Sequence, residues 1–134
     1  MNKVRAEVRT IEASGHLHRI TLDAGGETFV VITLELGEDF VVGSRVYISF
    51  KSTHVAIARG LQGDVTISNR IASKVETIRR KPILTEVVLY SRAGSFTALI
   101  TTRAFERLGL QEGDEVTALM KASDLYLSVR EGDA

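Results

Sequence analysis

Two short segments combine residue types suited to holding an anion: Lys51-Ser52-Thr53 and Lys121-Ala122-Ser123, each an ammonium followed by small side chains that include hydroxyls. Lysine brings three donors and no acceptor, and Ser and Thr hydroxyls rotate to suit a guest. Backbone N–H groups at a turn add further donors. Such a set binds without covalent chemistry. A lone Lys beside Ser or Thr is ordinary on a solvated loop, but here the same corner recurs 70 positions later. Other residue types with chemical potential are less organised. His16 and His18 are two apart, which on a strand puts both on one face, but no third metal ligand accompanies them. Arg79-Arg80-Lys81 before Pro82 reads as a solvated basic turn, and Asp114 and Glu115 lack the opposed placement that general acid and base catalysis needs. With no Ser/His/Asp pattern, Walker-type loop or GxGxxG, the expectation is a protein that is not an enzyme.

The elements that position these corners form a repeat. A shift of 67 pairs Val8 with Val75, Thr10 with Thr77, Ile11 with Ile78, Leu17 with Leu84, Leu22 with Leu89 and Phe29 with Phe96. A shift of 70 then pairs Gly43 with Gly113, Val46 with Val116 and Lys51 with Lys121. Two copies of one unit explain both shifts, with a three-residue slip between Glu35 and Gly43. The expected units are residues 1–63 and 64–134.

Each unit reads as a small β-structure. Leu17 to Leu22 and Thr28 to Leu34 flank Gly25-Gly26, and Leu84 to Tyr90 and Phe96 to Thr101 flank SRAGS, as two hairpins. TRAFERLGL predicts a short helix with Thr102 as its N-cap and Gly109 as its stop, which ELGEDF reduces to a stub in the first copy. Each unit closes with a strand (Val46 to Phe50, Val116 to Met120), the Lys-led elbow and a last strand (Val55 to Ala58, Leu125 to Val129). The expected fold is all-β: two tandem small OB-like β-barrels of about five strands each, with a short helix per unit. Units of this size bury a low fraction of their surface, so they are expected to pack on each other and on further copies.

Composition narrows the function. The 134 residues carry 17 Lys+Arg against 17 Asp+Glu, so no summed field favours a polyanion, and with aromatics at 6% and no Trp, stacking platforms for single strands are sparse. No direct nucleic-acid partner is expected. The absence of Cys removes zinc ribbons, iron–sulfur clusters and thiol nucleophiles. No apolar stretch is long enough to cross a bilayer and MNKVRAEVR has no apolar leader core, so a cytoplasmic protein without membrane insertion is expected.

The elbows Phe50-Lys51-Ser52-Thr53-His54-Val55 and Met120-Lys121-Ala122-Ser123-Asp124-Leu125 resemble the Lys-Ala/Ser-Ser/Thr-x-Val segment of molbindin (Mop, TOBE-like) domains. Thr66-Ile67-Ser68-Asn69-Arg70-Ile71, followed by Lys74-Val75, is similar to that family's Ser-Ala-Arg-Asn opening, and LGLQEGDEV shares its pattern. The resemblance spans nearly the whole chain as a tandem pair. It implies small barrels that bind molybdate or tungstate between subunits or domains, the elbow of one barrel facing the opening segment of another. Carried over, Lys51, Ser52 and Thr53 would serve one site and Lys121, Ala122 and Ser123 another, with Thr66, Ser68, Asn69 and Arg70 from the opening loop. Two departures stand out. Thr66 and Ser68 replace the family's Ser and Arg, so a guanidinium would come only from Arg70 through a shift of register. Asn2 aligns with Asn69 and nothing precedes Met1 to match Thr66, so one complete motif set per chain is expected.

The implied function is non-catalytic binding of molybdate or tungstate in storage or homeostasis. The alternative is a ligand-sensing module of a molybdate-responsive regulator or transporter acting through a partner chain. A homo-oligomer is implied, a trimer ahead of a dimer. A tetrahedral dianion already wraps its metal in oxo groups, so donors rather than Cys, His or carboxylate ligands are what it needs.

Overall fold

The computed structural model describes residues 1–130; the last four positions of the second sequence unit, 131–134, lie outside the described residues. Among the described residues are ten strands: β1 (Asn2–Ser14), β2 (Leu17–Ala24), β3 (Glu27–Thr33), β4 (Arg45–Phe50), β5 (Ala56–Ala58), β6 (Asn69–Arg80), β7 (Leu84–Ser91), β8 (Gly94–Thr101), β9 (Glu115–Met120) and β10 (Tyr126–Val129). One α-helix, α1 (Thr102–Leu108), follows β8. The strands make two curled, antiparallel five-stranded sheets, in the orders β10-β4-β1-β2-β3 and β5-β9-β6-β7-β8. These are the two OB-like barrels.

Membership of the sheets departs from the order of the sequence. The closing strand of each half crosses over: β5 pairs with β9 of the second half, and β10 pairs with β4 of the first. Five strands per sheet remain, but the fifth is contributed by the other half. The crossing starts at the elbow, where a one-turn 3-10 segment (Ser52–His54, Ala122–Asp124) redirects the chain away from its own sheet.

The long strands β1 and β6 carry each sheet. Val4, Ala6 and Val8 alternate inward on β1, as Ile71, Ser73 and Val75 do on β6, with Arg5 and Glu7 between the former and Ala72 and Lys74 between the latter. The register then slips between Val8 and Thr10, and likewise between Val75 and Thr77, so each strand bulges at the same repeat position. The buried residues of both sheets join in one hydrophobic cluster. Phe50 of β4 meets Phe96 of β8 edge-to-face at 5.5 Å within it. Phe29 and Phe96 are buried, whereas Phe105 packs on the cluster half-buried.

Helix α1 starts one residue earlier than TRAFERLGL suggests. Thr101 is the N-cap, its hydroxyl accepting from the Ala104 N–H. Thr102 is instead a buried anchor that donates to the Lys81 carbonyl at 2.6 Å and lies 2.8 Å from the Thr85 hydroxyl. Gly109 ends the helix at φ 61°. In the first half Glu35–Phe40 forms no helix, so the α-helix belongs to the second half alone.

Candidate functional site

The two elbows share one backbone geometry. Phe50 and Met120 are buried at the ends of β4 and β9, and Val55 and Leu125 are buried just past the turn. Pinned at both ends, the chain leaves Lys51 (φ −75°, ψ 141°) and Lys121 (φ −69°, ψ 140°) extended and exposed at the corner. The His54 N–H donates to the Lys51 carbonyl at 2.9 Å and the Asp124 N–H to the Lys121 carbonyl at 3.0 Å, closing each turn. The first elbow packs against β8 and the second against β3, so each lies at the seam between the halves.

At the second elbow the structure gathers Lys121, Ala122 and Ser123 with Thr66, Ile67 and Ser68 around a cleft of about 250 Å³, with Ile32 of β3 completing the wall. Of the sequence-derived candidates, Thr66, Ser68, Lys121, Ala122 and Ser123 are thus brought together. The lining supplies one ammonium and three hydroxyls, and no carboxylate. Ile32 and Ile67, both half-buried, give it apolar sides, while Thr66, Ser68, Lys121 and Ser123 are exposed and the cleft is open to solvent.

The remaining candidates have other placements. Lys51, Ser52 and Thr53 sit on the first elbow, away from this cleft. Arg70 is exposed on β6 and does not line it, so the absent guanidinium is not replaced there. Asn69 is fully buried and acts as a clamp: its amide donates to the Val30 carbonyl at 2.9 Å and accepts from the Val30 N–H at 2.8 Å. Asn2 does the same to Thr97, at 2.8 and 2.9 Å. These paired clamps tie each half to the other's sheet, and Asn69 thereby fixes the strand that presents Ile32. The repetition of Asn at positions 2 and 69 is the sequence signal for the clamp; Ile32 had none, because only tertiary packing brings β3 to the elbow.

His16 lies in the turn between β1 and β2 while His18 is on β2, so the two do not share a strand face. Among the described residues, no three His, Cys, Asp or Glu side chains are grouped to hold a metal ion. No helix among them is long and apolar enough to cross a membrane.

Residues 66–127 match the TOBE domain model. Over 64 residues the chain is 33% identical to molybdenum-pterin-binding protein 1 of Clostridium pasteurianum, covering 94% of that protein and 47% of this chain. This chain belongs to the molbindin family. The similarity extends through both halves: molybdenum-pterin-binding protein MopA of Rhodobacter capsulatus is 30% identical over 131 residues, or 96% of this chain. The chain spans about half the length of that relative, 46%. The crystal structure of the cytoplasmic molybdate-binding protein ModG with molybdate bound superposes with a TM-score of 0.89 at 23% identity, covering 96% of this chain and 95% of the other. That likeness establishes the tandem molbindin fold.

Proposed function

We propose that this chain binds molybdate or tungstate as an intact tetrahedral oxyanion, without catalysis, in storage or homeostasis of the metal. The observation that carries the reading is the cleft in which Lys121 and Ser123 meet Thr66 and Ser68 with no carboxylate among them. Kinship with proteins named for molybdenum-pterin binding supports a molybdenum ligand. Molybdate and tungstate have the same charge and nearly the same size, so one donor set serves both. The ammonium offsets part of the double negative charge, and the hydroxyls and the backbone N–H groups of the 3-10 turn meet the oxygens. Further copies of the chain, in a cytoplasmic homo-oligomer with a trimer ahead of a dimer, would bury the exposed apolar side chains Leu17, Leu34 and Tyr126 beside this cleft.

Calorimetric titration of the full chain with molybdate, tungstate, sulfate and phosphate tests the reading. Saturable heat from the first two is expected, and none from either at millimolar concentration would overturn it. A second reading, in which the tandem unit senses the oxyanion for a regulator or transporter, is favoured by one fact: MopA continues well beyond the matched segment. Recovery of a stoichiometric partner chain from native extract supports that version; recovery of the homo-oligomer alone supports storage.

A further inference from the structure

The two elbows face each other across the seam through their last turn residues. Nδ1 of His54 lies 4.0 Å from Oδ1 of Asp124, too far for a hydrogen bond and within ion-pair distance when the imidazole is protonated. The two positions correspond in the repeat, so one half offers an imidazole where the other offers a carboxylate. His54 Nδ1 is buried and makes no hydrogen bond among the described residues. Strand β8, on which the first elbow packs, carries no ionisable side chain. Among the described residues, Asp124 is therefore the acidic group within ion-pair distance of His54.

Asp124 directly follows Ser123, which lines the oxyanion cleft, yet Asp124 itself is absent from the lining. A carboxylate swung into that cleft would repel a dianion and compete for the Lys121 ammonium. We propose that His54 is a positioning residue that holds the Asp124 carboxylate toward the seam and away from the cleft, so that the first elbow sets the oxyanion affinity of the second. The inference rests on the oxyanion reading of the cleft. It gives the non-identity of the two elbows a purpose: an Asp at the end of both would face two carboxylates across the seam.

Molybdate titrations of the full-length chain separate this role from mere packing. His54→Leu is expected to weaken binding by about tenfold, the scale of one solvent-screened like-charge contact. Asp124→Asn alone should bind at least as tightly as wild type, and adding it to His54→Leu should restore affinity to within about twofold, because the penalty acts through the carboxylate. Unchanged affinity in His54→Leu, or failure of the second substitution to rescue it, would overturn the inference while leaving wild-type binding intact. No molybdate heat from wild type would instead overturn the oxyanion reading, and the inference with it. Should His54→Leu fold poorly, His54→Asp alone is compared with His54→Asp plus Asp124→His, which reverses the pair. The single variant should bind about tenfold more weakly than the reversed pair, and equal affinity in the two would overturn the inference.

Discussion

Lys121 brings the one full charge to the cleft, and its neighbours bring dipoles. Lys121→Ala is therefore expected to weaken molybdate binding by about 10- to 100-fold, the range of a lost charge-assisted contact, as read by calorimetry. Lys51→Ala should change binding at this cleft far less, since Lys51 stands on the other elbow. Asn69 lies between these two in sequence and does a different job. Asn69→Ala strips both partners from the part-buried Val30 N–H and carbonyl. A loss of about 2 kcal/mol in denaturant unfolding is expected from leaving them unsatisfied. Gly25 is the least replaceable residue of the β2–β3 turn: its φ is 60°, and a Cβ there would lie 2.1 Å from the Arg92 carbonyl oxygen. Gly25→Ala should cost about 3 kcal/mol or more, because backbone at the opposing turn has to move. Gly26→Ala is strained too, at φ 94°, but its Cβ meets only the flexible end of Arg92, at 3.4 Å, so it should cost less in the same unfolding measurement.

At the scale of elements, the hairpins, the helix and both elbows were legible because their signals are local. Gly25-Gly26 marks a turn, Thr and Gly bracket α1, and the Lys-led corner repeats. The helix cap fell on Thr101 rather than Thr102 because the Thr102 hydroxyl is claimed by Lys81 and Thr85, partners invisible in the helix's own sequence. The exchange of β5 and β10 was not legible either. Val55 and Leu125 look the same whether the strand that follows returns to its own sheet or crosses, and the exchange shows only in the tertiary pairing of β5 with β9 and β10 with β4. The cleft was half legible: Thr66, Ser68 and the second elbow carry motifs, while Ile32 arrives by tertiary packing. Crossing makes β10 structural for the first half. Leu127→Pro, in the strand whose register sets Leu127 opposite Ile48, should therefore destabilise the first sheet. Hydrogen exchange of β4 amides is expected to rise at least as much as that of β9 amides.

For the whole molecule, the strand exchange, the two Asn clamps and the Phe50–Phe96 contact make the halves one cooperative body around one core. Differential scanning calorimetry should show a single transition with equal calorimetric and van't Hoff enthalpies, and two resolved transitions would speak against a shared core. The seam also gathers the proposed site: the cleft, both elbows and the His54–Asp124 pair all lie along it. The most direct test of the oxyanion cleft is the position of the metal itself. Crystals of the full chain grown with tungstate should show a tungsten anomalous peak between Thr66–Ser68 and Lys121–Ser123; a peak placed elsewhere with this cleft empty, or no peak at all, would contradict the assignment.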